Sequence, residues 1–185
     1  VFFPYKKEEK ERRLLLFIYP NITTYHRVKR TIWDDTVFRK AAQPYFDKTA
    51  PNPAYFNFES FLCEAFDKVP SLLMPDKNRT LFELRTYHSP NEEANQRKVA
   101  MFNKDEIDVF DKVGINSVCY GEVLAGPIMP AVMYLTWYKD EPTRKCRLGQ
   151  IPGTSGLATD QEPAGICYTA TRNTSLLLSP CLTRR

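Results

Sequence analysis

The sequence predicts an α+β protein built on the ferredoxin-like βαββαβ unit, present as one incomplete copy followed by one copy with a disrupted second helix. Three observations predict it. Residues 79–88 alternate with period two, residues 92–113 repeat at helical spacing up to a glycine, and residues 115–124 and 131–138 read as two strands around a Gly/Pro turn. The 185 residues are 43% hydrophobic and 26% charged, which is a globular composition rather than a disordered one.

Residues 13–19, Arg-Leu-Leu-Leu-Phe-Ile-Tyr, are apolar on both faces and predict a covered strand ended by Pro20-Asn21. Thr23 or Thr24 is placed to cap a helix carrying Tyr25, Val28, Ile32 and Trp33. A second short helix runs from about Asp35 to Tyr45, with Pro44 at its end. After the breaker at 49–53, the aromatic-rich stretch 55–66 predicts a strand. Strand, helix, strand is the last part of the βαββαβ unit, so residues 1–70 are expected to be the C-terminal half of a first domain. Residues 71–78 form a Pro-containing linker, and residues 79–185 form the second domain.

In that second domain, Phe82, Leu84 and Thr86 share one face of the first strand, and Glu83, Arg85 and Tyr87 share the other. Ser89 or Asn91 caps the following amphipathic helix, which has acids early, Lys112 late and Gly114 as its stop. The expected place of the second helix, residues 146–167, holds four of the seven glycines, two prolines and no aromatic residue. A one-nucleotide frame shift, with codons chosen within the degeneracy, restores an aromatic amphipathic pattern there. A compensated frameshift or sequencing error is therefore expected at 146–167, with a flexible insertion as the alternative. Residues 175–178 then supply the closing strand.

Apolar runs are too short for the roughly 20 residues of a membrane-spanning helix, and Val1-Phe-Phe-Pro-Tyr leading into a mixed charge run is no secretory signal. A first residue of Val reads as a fragment, leaving a cytoplasmic or, had a signal been lost, an exported protein. The net charge of +4 is mild and evenly mixed, which argues against nucleic acid. Five cysteines without a CxxC pair and two distant histidines predict no metal site and no disulfide framework. Cys119 with His88 is the one nucleophilic pair to consider.

Phe82-Glu-Leu-Arg-Thr-Tyr87, Asn103-Lys-Asp-Glu106, Gly114-Ile-Asn116, Tyr120-Gly-Glu122 and Met129-Pro-Ala-Val-Met-Tyr134 closely resemble the NIPSNAP family, over about residues 78–140. Residues 11–68 look like the end of a preceding NIPSNAP-like domain, as in bacterial members with two copies. The resemblance implies the dimeric α/β-barrel type of ferredoxin-like fold, in which two four-stranded sheets pack face to face. Residues 146–167 depart from the family's aromatic-rich helix.

On this basis Phe82 and Leu84 are expected to face the helices, with Glu83, Arg85, Tyr87, Tyr120, Glu122 and Tyr134 on the open face. Glu83, Glu122 and His88 are the candidate catalytic groups. Arg85, Tyr87, Asn103, Glu106, Tyr120 and Tyr134 are the candidate ligand-binding groups. The resulting expectation is a ligand-binding or protein-interaction module, with no cofactor implied, paired as a homo-oligomer or between its own two domains. The alternative is a cofactor-independent small-molecule enzyme of the monooxygenase-like barrel type, by analogy of fold.

Overall fold

The computed structural model describes residues 2–4, 13–77, 79–151 and 172–180. The chain divides into two compact units, Leu16–Glu59 and Val1–Leu15 with Ser60–Arg185. The smaller unit contains α1 (Ile22–Thr31), a single 3₁₀ turn (Ile32–Asp34) and α2 (Thr36–Phe46). Asn21, rather than Thr23 or Thr24, caps α1, its Oδ1 accepting from Thr24 N at 2.8 Å. Asp35 caps α2 through Val37 N and Phe38 N, and Pro44 lies inside that helix. Neither helix buries a residue, and Trp33, Val37, Tyr45 and Phe58 are exposed.

The larger unit is one six-stranded sheet. Its strands are β1 (Phe2–Pro4), β2 (Leu62–Ala65), β3 (Leu81–His88), β4 (Asn116–Ala125), β5 (Ala131–Tyr138) and β6 (Arg172–Pro180), in the order β1-β6-β3-β5-β4-β2. All adjacent pairs are antiparallel. The inner four, β6-β3-β5-β4, form an α+β sheet consistent with the ferredoxin-like unit. The connection from β3 to β4 runs through α3 (Glu92–Met101), a π-helical turn (Phe102–Glu106) and α4 (Ile107–Lys112). Thus the expected helix over 92–113 is one helical run with a widened turn in its middle. Asn91 Oδ1 caps it at Ala94 N, 2.9 Å away, and Gly114 ends it with φ +74, a conformation that favours glycine.

Three expectations are corrected. Residues 13–19 form no strand beyond a single bridge at Leu14, and Phe17 and Ile18 are exposed. A strand apolar on both faces needs cover on both, and of this run only Leu14 and Tyr19 are half-buried. The strand expected over 55–66 is only Leu62–Ala65. The second helix is present as α5 (Glu141–Leu148), capped by Asp140 Oδ1 on Thr143 N with Pro142 in its first turn, so Cys146 to Leu148 are helical. The remainder of the stretch read as frameshifted, residues 152–167, lies outside the described residues.

The sheet faces are also opposite to expectation. Leu81, Tyr87, Tyr120, Val132, Tyr134 and Tyr138 pack with Phe102, Ile107 and Phe110 of the helical run. Phe82, Val118 and Leu135 form a separate cluster on the other face, joined by Leu14, Leu72, Leu84 and Trp137. The helices therefore cover the face that carries Glu83, Arg85 and Tyr87.

Candidate functional site

Beneath the helices, β3, β4 and β5 place a polar, aromatic cluster inside the fold. Register puts Arg85 opposite Tyr134, Glu83 opposite Thr136, and Tyr120 opposite Tyr134. Tyr87 and Tyr134 share a hydroxyl bond of 2.9 Å, and the Tyr120 and Tyr134 rings stack at 5.5 Å. Phe102 meets the rings of Tyr87, Tyr120, Tyr134, Phe66 and Phe110. The candidate tyrosines do come together, but as the packed centre of the helix–sheet layer.

Glu83 is 0% exposed. Its Oε1 accepts from Arg85 Nε at 2.9 Å and from Arg144 Nη2 at 2.6 Å. The Glu83–Arg144 pair ties α5 to β3, and Arg144 also reaches Glu141 on its own helix at 3.3 Å. Burial by itself raises the Glu83 pKa, but Arg85 and Arg144 outweigh it and hold the carboxyl below its usual range. Burial opposes the charge on Arg85 too; the Tyr134 and Tyr87 oxygens and the Glu83 carboxylate reverse this, and its pKa is raised. Glu83 Oε2 and Arg144 Nε are buried without a hydrogen-bond partner among the described residues. Lys98, 3% exposed, lays its ammonium over the Tyr87 ring at 4.6 Å.

The other candidates are dispersed. Glu122 accepts from Asn95 Nδ2 at 2.8 Å and Gln96 Nε2 at 2.7 Å, so it anchors α3. Asn103, on the π turn, accepts from the backbone N of Lys68 at 3.0 Å. Glu106 is buried in the same turn, and with burial and Asp111 it contributes to a raised Tyr120 pKa. His88 ends β3 with Nε2 3.2 Å from Met129 O. Along β5, Cys119 pairs with Leu135 and His88 with Ala131. Four residues of strand separate them by about 13 Å, so they form no nucleophilic pair. Burial pushes the Cys119 thiol up to about 11, which disfavours the thiolate at neutral pH.

Sequence reasoning missed Arg144 and Lys98. Arg144 had a legible signal: Asp140-Glu141-Pro142 is a helix start, and Arg144 follows on its first turn. Lys98 had none, because a lysine in an amphipathic helix reads as solvated.

Removing one phenol tests the packing. Tyr134→Phe keeps the ring and loses the Tyr87 bond, so a loss of about 1 kcal/mol is expected in denaturant unfolding. No measurable loss would show that the two hydroxyls do not support each other.

Among the described residues, no group of three or more His, Cys, Asp or Glu side chains is placed to hold a metal ion, and no helix is long and apolar enough to cross a membrane. No curated protein and no solved structure matches the chain. A family model does match: NIPSNAP, over residues 82–152, from the second residue of β3 to just beyond α5. The β3–α5 core, with its buried Glu83–Arg85–Arg144 cluster, is thus the part of the chain that carries the family pattern, and the chain contains a NIPSNAP domain.

Proposed function

We propose that the protein is a pairing module, in which the NIPSNAP domain binds a second, NIPSNAP-like half supplied by residues 1–70 of the same chain. One observation carries this reading. Both edges of the four-stranded core are taken by strands from before the linker, β2 on β4 and β1 on β6. Those are the edges through which two sheets of a dimeric α/β-barrel would close on each other. An edge already paired within the chain is not available to another copy. Leu14, from the same preceding segment, packs on the sheet face away from the helices, where a second sheet would lie.

The enzyme reading has less support. Glu83 is held by two arginines and Glu122 by two amides, so neither carboxylate is a free base. The tyrosines that would line a barrel site are stacked under Phe102.

Sedimentation of the full chain is expected to give a monomer across the accessible concentrations; a stable dimer would overturn the pairing in cis. A substitution tests the edge directly. Glu64 on β2 stands opposite Glu122 on β4, a like-charge pair that opposes strand docking. Glu64→Lys is expected to gain about 0.2–1 kcal/mol, and to lose that gain in an Glu122→Gln background. An equal effect in both backgrounds would remove β2 as the partner of β4.

A further inference from the structure

The loop after β2 and the helical run border a half-open cleft beside the aromatic cluster. Its volume is about 260 Å³, and it is lined by Lys68, Val69, Pro70, Ser71, Leu73, Ile107, Asp111 and Ser117. That is just below the roughly 300–1,000 Å³ of drug-sized sites, so it fits a small ligand. The loop wall is held at both ends. Val69 N donates to Phe66 O at 3.0 Å and Leu73 N to Val118 O at 2.9 Å. Lys68 is clamped by Asn103 through its backbone N, and by Lys104 O and Asp108 through its ammonium. A wall fixed before binding loses little order when a ligand arrives.

The charges are unequal. Lys68 is neutralised by Asp108 at 2.7 Å, whereas among the described residues no donor or cation pairs with the carboxylate of Asp111. On the floor, Ser117 Oγ lies 2.6 Å from the Tyr120 hydroxyl. Val69, Pro70, Leu73 and Ile107 give the rest of the lining its apolar character.

We propose that this cleft binds a small amphiphilic amine, with its apolar body between the loop and Ile107 and its ammonium on Asp111. A carboxylate without a partner at the rim of an apolar cleft selects a cation over an isosteric neutral or anionic group. The wall of this cleft follows β2, so the site rests on the docking of β2 on β4, whereas failure of amine binding would leave that docking untouched.

The test is calorimetric and NMR titration of the full chain with phenethylamine, 2-phenylethanol and 3-phenylpropionate. Saturable binding of the amine is expected, with the alcohol about fivefold weaker, as loss of one partly exposed ion pair implies, and the carboxylate weaker still. Asp111 is exposed, so Asp111→Asn should fold normally, confirmed by an unchanged melting temperature, and should lower the amine to the affinity of the alcohol. Absence of saturable amine binding at millimolar concentration overturns the proposal, as does equal binding to Asp111→Asn. Amide shifts confined to residues away from 68–73 and 107–117 overturn it as well.

Discussion

Glu83→Ala is expected to destabilise the larger unit by about 3–5 kcal/mol, because it strips the shared counter-charge from two arginines and leaves them in a low-dielectric interior. Arg85 and Arg144 side chains are 17% and 9% exposed, so water cannot take over the role of the carboxylate. The sign with pH follows from the direction of the shift. The folded-state pKa of Glu83 lies below its unfolded value, so the stabilisation is fully present above about pH 4.3 and is lost as pH falls through the folded value. The gap in melting temperature between wild type and Glu83→Ala should therefore be wide at pH 7 and shrink in acid. A variant that melts with wild type at pH 7, or a gap that widens in acid, would refute the ion cluster as the tie between α5 and β3.

Phe102→Ala should cost a comparable amount, about 3–5 kcal/mol, since a fully buried ring is lost and its surroundings can close only in part. Phe102 is 2% exposed and touches five aromatic rings drawn from β3, β4, β5, α4 and the segment after β2. It also begins the π turn, where the helix is least able to shift as a regular cylinder. Chemical denaturation followed by tyrosine fluorescence reads this directly. A midpoint shift equivalent to less than about 1 kcal/mol would mean that the aromatic cluster repacks freely, against the near-crystalline density expected of a core.

Much of the element order could be read from the residues alone. Period-two alternation located β3, helical spacing with Asn91 and Gly114 located the α3–α4 run, and the Gly/Pro turn at 125–130 located the β4–β5 hairpin. These signals are local: each depends on residues within one or two turns of one another. The tyrosines and the Glu83–Arg85 pair were also legible as neighbours, because side chains two apart on a strand share a face. Local rules are weaker where a segment depends on distant cover. Residues 13–19 read as a strand from composition, yet strand formation needs edges and faces supplied by other parts of the chain.

Alternation determined by itself that Glu83, Arg85 and Tyr87 lie together and that Phe82 and Leu84 lie opposite them. It is symmetric with respect to the two faces, however, and so carries no information about which one the helices cover. Polarity argued for Phe82 and Leu84, but tertiary structure decided otherwise. Arg144, 61 residues beyond Glu83, cancels the buried charge from α5, and Leu14 and Leu72, from segments that precede β3, cover the other face. A buried carboxylate becomes tolerable only when its counter-ion is in place, and that counter-ion is brought there by the fold.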